Sequence, residues 1–191
     1  MKNSIFLIVL VLITNSVWTQ KPDSSNAIID RFLTEEYPKD EPGAAVLIAK
    51  DGEVVFEKAY GLSSIKPKRK LKTDMVFQIA SMSKQFVSAA VIQLVEKGDI
   101  KLDEPIQTYV PYYPEKAYPV TVHHLLSQTS GIPEYFDVDE AEFDLLAKNY
   151  TPSELLDFYK NVPLMFQPGE RYHYSSSNYP LLGLAIENIT G

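Results

Sequence analysis

The sequence predicts an α+β protein, an antiparallel sheet flanked by helices with a mainly helical part following it. Three observations lead there. Two strand-like runs, Gly43 to Lys50 and Glu53 to Tyr60, flank Asp51-Gly52, a dipeptide suited to a tight two-residue hairpin turn. Stretches before and after this hairpin carry apolar residues at helical rather than alternating spacing. The chain is 45% hydrophobic and 12% aromatic over 191 residues, too apolar to stay disordered and long enough to bury a core.

Taken in order, Met1 to Thr19 read as a signal peptide. Lys2 supplies a basic start, Ile5 to Ile13 form an uncharged apolar run, and Val17-Trp18-Thr19 offers a cleavage site before Gln20. That run is shorter than the roughly 20 residues a membrane span needs. No similar run follows, so the expectation is an exported protein, periplasmic or extracellular, with no stable membrane span after leader cleavage. Ser25 to Tyr37 reads as the first helix, with Ile28, Ile29, Phe32 and Leu33 on one stripe, Ser24, Ser25 and Asn26 as cap candidates and Pro38 as the stop. The hairpin follows. A long helix runs from Ser81 to Gly98, apolar on nearly every side and therefore expected to be buried. Beyond the Pro-punctuated stretch around Pro105, Pro111, Pro114 and Pro119 come a short helix from Thr121 into Leu126, a loop at Ser130 to Pro133 and a helix from Ser153 to Lys160. A last helix begins near Asn178 or Tyr179, with Pro180 in its first turn.

Cysteine is absent, so neither a disulfide framework nor a thiol nucleophile is available. A formal charge of −7 argues against nucleic acid as a partner. The basic cluster Lys66, Lys68, Arg69, Lys70 and Lys72 reads as a solvated loop, and so does the acidic patch Asp137, Asp139, Glu140, Glu142 and Asp144, which lacks the glycine and spacing of a calcium loop. His123, His124 and His173 match no metal spacing, so no metal is expected. A lone hairpin leaves open, apolar sheet edges, and such sheets are marginal in water. The expectation is that further strands complete it.

S-x-x-K, a spacing that can make a serine nucleophilic, occurs twice, at Ser63 to Lys66 and at Ser81 to Lys84. With 15 Ser and 15 Lys in the chain, about one copy arises by chance, so context decides. Ser63 and Lys66 fall in the basic loop, where Pro67 turns Lys66 away from helix. Ser81 and Lys84 fall at a helix start, where residues three apart share a face and free N–H groups favour developing negative charge. If the helix buries Lys84, the neutral amine can take the Ser81 proton. The plainer reading makes Ser81 a helix cap and Lys84 a surface residue.

Several segments, in order, resemble the serine beta-lactamase superfamily, most closely the class C beta-lactamase-like group of lactamases, D-peptidases and esterases. Phe77 to Lys84 resembles its nucleophile motif, Leu94 to Gly98 and Leu102 to Ile106 the end of its central helix, and Val120 to Ile132 its threonine-serine-glycine loop. Gln167 to Glu170 then leads into Tyr172 to Gly183, similar to its tyrosine motif. The resemblance implies a beta-lactamase/transpeptidase-like fold from Gln20 to Gly191 and a serine hydrolase without a cofactor, forming an acyl-enzyme on Ser81. Its implied substrate is a beta-lactam, a D-amino-acid peptide or a small ester. It gives Lys84 and Tyr174 proton-handling roles, puts Ser176 where the family has a substrate-binding asparagine, and makes Gln128, often histidine in the family, a structural position. Asn178 is out of register with that asparagine. The family's third motif, a lysine-threonine-glycine or histidine-any-glycine strand, has no match, which together with the open sheet leads to the expectation that the chain is the first part of a longer protein. The alternatives are a non-catalytic penicillin-binding-like protein that recognises peptidoglycan or a partner, and an inactive truncated remnant.

Overall fold

The computed structural model describes residues 24–138 and 149–191, so the leader and Asp139, Glu140, Glu142 and Asp144 of the acidic patch lie outside the described residues. The chain divides into two compact units, one ending at Phe77 and the other running from Gln78 to Gly191.

In the first unit, helix α1 (Ser25–Glu36) starts where Ser24 Oγ accepts the Ala27 N–H and stops just before Pro38. Strands β1 (Ala45–Lys50) and β2 (Glu53–Ala59) form the expected antiparallel hairpin. Its turn residues take φ values of 53° at Asp51 and 82° at Gly52, the left-handed pair a tight hairpin turn requires. Ile48 faces Phe56 and Ala49 faces Val54, so Val55 is the extra residue of a bulge. Helix α1 is tied to this hairpin and its exit: Asp30 accepts from Lys58 Nζ and from Tyr60 Oη, and Asn26 Nδ2 donates to the Val55 carbonyl. Gly43 allows the backbone to cross close to residue 60, since a Cβ there would stand 1.7 Å from the Tyr60 carbonyl oxygen.

The basic stretch departs from expectation. Leu62–Ser64 (β3) and Arg69–Lys70 (β4) pair as a second small antiparallel hairpin, with Lys66 and Pro67 in its connecting turn. The residues from Ile65 to Lys70 are exposed, so the cluster is solvated as expected, but part of it is strand. Strands of three and two residues are too short to show an alternating pattern, and their pairing is invisible in the sequence.

In the second unit a short 3-10 turn (Ala80–Met82) leads into helix α2 (Ser83–Lys97), which ends at Gly98 in the left-handed conformation, φ 84°. Helices α3 (Val122–Leu126) and α4 (Pro152–Tyr159) each begin with a reciprocal cap, Thr121 with His124 and Thr151 with Glu154. Caps of this kind stabilise by about 1 kcal/mol each. Helix α5 (Asn178–Thr190) closes the chain. The core gathers Val91 and Leu94 of α2, Ile106, Val110 and Val120 of the Pro-punctuated stretch, Leu125 of α3, Leu156 and Tyr159 of α4, and Leu181, Leu182 and Ala185 of α5. Full burial of each large aliphatic side chain is worth roughly 1.5–3 kcal/mol.

The expected burial of α2 on nearly every side is not found. Only Val91 and Leu94 are buried, while Met82, Phe86 and Ile92 are 63%, 64% and 41% exposed. Apolar content records a need for cover without saying what supplies it, and within this unit cover comes from α5 and the core beside it, on one face.

Candidate active site

The second S-x-x-K is built by the 3-10 turn and the first turn of α2. Ala80, just before Ser81, has φ 45°, a left-handed conformation that costs an alanine on the order of 1–3 kcal/mol and is sustained only by its surroundings. Ser81 is not a helix cap. The cap position of α2 is Met82, with no side-chain capping bond, and Ser81 Oγ turns to two other groups. It accepts a hydrogen bond from Lys84 Nζ at 3.1 Å and lies 2.8 Å from Tyr174 Oη. Lys84 Nζ also donates to Ser176 Oγ at 3.5 Å, and stands 5.1 Å and 5.4 Å from the ring centroids of Tyr174 and Tyr179. Ser81, Lys84, Tyr174 and Ser176 therefore meet at one place, across more than ninety residues of chain.

The electrostatics single out Tyr174. Its hydrogen bond with Lys84, then that with Ser81, hold its phenol below the ordinary value of 10.0, against a smaller opposing effect of burial. Lys84 is half-buried. With Lys84 as donor to Ser81 Oγ, the hydroxyl proton of Ser81 is free to point at Tyr174 Oη. Tyr174 is thus the better-placed proton acceptor. Tyr135, on the 3-10 turn Tyr135–Asp137, behaves oppositely, pushed up to about 12 by burial and by Glu134 and Tyr174.

The Tyr174 segment is held from below by the loop at 128–134. Gln128, itself at φ 59° and nearly buried, accepts the His173 N–H on its backbone carbonyl, and on its side-chain oxygen both the Ser175 N–H and Asn178 Nδ2. Asn178 in turn accepts from Ser130 Oγ at 2.6 Å. The Pro133 carbonyl accepts from Ser175 and Ser177 hydroxyls, and Glu134 Oε2 accepts the Ser176 N–H at 2.7 Å. Asn178 is accordingly a buried structural residue. Glu134 and the double grip of Gln128 were missed in the sequence, because nothing local marks a polar side chain whose partners lie more than forty residues away.

The first S-x-x-K does something different. Ser63 Oγ donates to the Arg69 and Lys70 carbonyls across β3 and β4. Among the histidines, His124 is spent on the α3 cap and His173 packs edge-on against Phe166. Among the described residues no group of three or more metal-ligating side chains gathers. Two cavities of about 410 and 500 Å³ open around Lys116, and neither is lined by the four site residues, of which Ser81 and Tyr174 are exposed, Lys84 is half-buried and Ser176 is buried.

The beta-lactamase family profile matches residues 29–191. Protein flp of Staphylococcus aureus (strain N315) is 32% identical over 177 residues, covering 90% of this chain and 35% of that protein. The octameric penicillin-binding protein homologue from Pyrococcus abyssi has a TM-score of 0.68 at 32% identity, over 85% of this chain and 37% of that one. D-amino acid amidase from Ochrobactrum anthropi SV3, in complex with D-phenylalanine, has a TM-score of 0.66 at 28% identity, over 83% of this chain and 43% of that one. The fold is beta-lactamase/transpeptidase-like. The chain belongs to the beta-lactamase family, a family of serine hydrolases, and spans little more than a third of the length of Protein flp.

Proposed function

We propose that this chain carries the nucleophile and proton relay of an exported serine hydrolase that cleaves an amide or ester through an acyl-enzyme on Ser81. The observation supporting it is the placement of Ser81 Oγ between Tyr174 Oη and Lys84 Nζ, at 2.8 and 3.1 Å. Neither partner alone makes a serine hydroxyl nucleophilic; a base within hydrogen-bond reach, itself held by a cation, does.

In this reading Lys84 keeps Tyr174 partly ionised. The phenolate takes the Ser81 proton as Oγ bonds to the substrate carbonyl carbon, whose π electrons move onto its oxygen. The resulting oxyanion accepts a hydrogen bond from the Ser81 N–H, at a helix start where N–H groups lack intrahelical partners. Collapse of the intermediate breaks the bond to the leaving nitrogen or oxygen, which takes the proton from Tyr174. Water then attacks the carbonyl carbon of the Ser81 ester and passes a proton to Tyr174; the C–Oγ bond breaks, Oγ takes that proton back from Tyr174, and the acid is released. Ser176 presents a hydroxyl to substrate beside Lys84. A hydroxyl cannot reproduce the donor and acceptor pair of an amide, which tilts the substrate toward small esters or D-amino-acid peptides and away from efficient beta-lactam turnover. Export is proposed from the leader-like start, Lys2 followed by the apolar run Ile5 to Ile13.

The test is labelling and turnover by the full-length protein, with a fluorophosphonate, a penicillin, a D-amino-acid amide and a short-chain ester as probes. Labelling lost in Ser81→Ala is expected. Labelling that survives Ser81→Ala contradicts the proposal.

A further inference from the structure

A proton relay works only if Tyr174 Oη stays within hydrogen-bond reach of Ser81 Oγ, yet Tyr174 is on a loop outside any helix or strand and is 42% exposed. Something beneath it must fix its position. The residues on either side of Tyr174 donate their backbone N–H groups to one residue: His173 to the Gln128 carbonyl at 2.9 Å and Ser175 to Gln128 Oε1 at 2.8 Å. The same Oε1 accepts from Asn178 Nδ2 at 2.8 Å, fixing the start of α5 as well. Gln128 makes these three bonds from a left-handed backbone, φ 59°, and is 7% exposed. A non-glycine residue held there, nearly out of solvent, is one its surroundings constrain tightly.

We infer that Gln128 is a positioning residue for the reaction, its two carbonyl oxygens gripping the backbone on both sides of Tyr174 and so setting Tyr174 Oη against Ser81 Oγ. This rests on the hydrolase reading above. It adds that activity depends on a residue that touches neither Ser81 nor the substrate. Misplacement of a reacting group by about 1 Å can cost about 100-fold in rate. The charged and titratable groups around Tyr174 are Lys84 from α2, Tyr135 from the 3-10 turn, His173 beside it and Glu134, which holds the neighbouring Ser176 N–H. Gln128 is neutral, so its effect on Tyr174 is through geometry alone.

The experiment is a comparison of three variants of the full-length protein using whichever probe the wild type turns over. Gln128→Asn suits a left-handed backbone, and so keeps the turn and its bond to His173, while withdrawing the side-chain oxygen by one methylene. Gln128→Met removes the acceptor at similar volume, and Ile100→Ala, a deletion in the core of the same unit, sets how far activity follows stability alone. The expected result is a loss in kcat of about 10- to 100-fold for both Gln128 variants, with KM changed by less than about threefold. The acid limb of the acylation rate should move to higher pH, because Tyr174 loses the contacts with Lys84 and Ser81 that favour its ionised form. Ile100→Ala should lower Tm without moving that limb. If Gln128→Met does not fold, Gln128→Asn carries the test. An unchanged kcat and pH limb in the Gln128 variants, with Ser81→Ala inactive, overturns the inference and leaves the hydrolase reading standing. A Ser81→Ala enzyme as active as wild type overturns both.

Discussion

Ser63 to Lys66 and Ser81 to Lys84 share a pattern and nothing else. At the first, the backbone is a strand running into a turn, Ser63 is committed to the carbonyls of Arg69 and Lys70, and Lys66 sits in the turn beyond. At the second, the chain is already helical, so Lys84 swings over Ser81 and their polar atoms meet at 3.1 Å. A third group then arrives from the other end of the unit, Tyr174, carried on a loop that Gln128 and Glu134 hold. Spacing in the sequence becomes chemistry only where the backbone converts three positions into one face and where tertiary structure delivers the acceptor.

The largest effect expected is from Ser81→Ala, which should remove turnover by about 10⁴-fold or more, since nucleophile and relay act as a unit. Ser63→Ala in the same assay should leave kcat/KM unchanged; equal losses at the two serines would erase the distinction between them. Next, Lys84→Met should cost about 10³-fold through loss of a proton-handling group, whereas Lys66→Met should cost nothing. Tyr174→Phe should cost about 10²- to 10⁴-fold if Tyr174 is the proposed relay, while leaving Tm almost unmoved, because the residue is 42% exposed and packs little.

A smaller effect concerns pH. Tyr174 must be ionised to accept a proton, and Lys84 and then Ser81 favour that form, so acylation should rise with pH along a limb centred below 10.0. In Lys84→Met the residual activity should rise only at higher pH, because the largest influence lowering the phenol is gone; an unmoved limb would remove Tyr174 from the base role. The smallest effect is Ser63→Ala on stability, at most about 1 kcal/mol, since its hydrogen bonds are exposed to water. Denaturant unfolding measures it.

Much of this was legible in the sequence, for identifiable reasons. Helices α1 and α5 and the first hairpin announce themselves through local chemistry: Ser24 as a cap candidate, Pro180 in a first turn, Asp51-Gly52 at a tight turn. Helices α3 and α4 are marked by their apolar spacing, and the Thr151 cap sets the start of α4 one residue ahead of the expected Ser153. Ser81, Lys84, Tyr174 and Ser176 could be named together as candidates because motif resemblance carries long-range information that periodicity lacks, and the fold it implied is the fold present. What escaped was either too short or too distant. The β3 and β4 strands leave no pattern, and the grip of Gln128 on Ser175 and Asn178 is tertiary. The exposure of Phe86 and Ile92 on α2 escaped because apolar composition does not name the surface that will cover it.

The most direct measurement is the site of covalent attachment. The full-length protein is treated with a fluorophosphonate, digested, and the modified peptide sequenced by mass spectrometry. An adduct on Ser81, absent when Tyr174 is phenylalanine at the same pH and exposure time, is the result expected of a serine activated by its neighbours. An adduct on Ser63, or labelling spread over many serines at equal rates in both proteins, would contradict it.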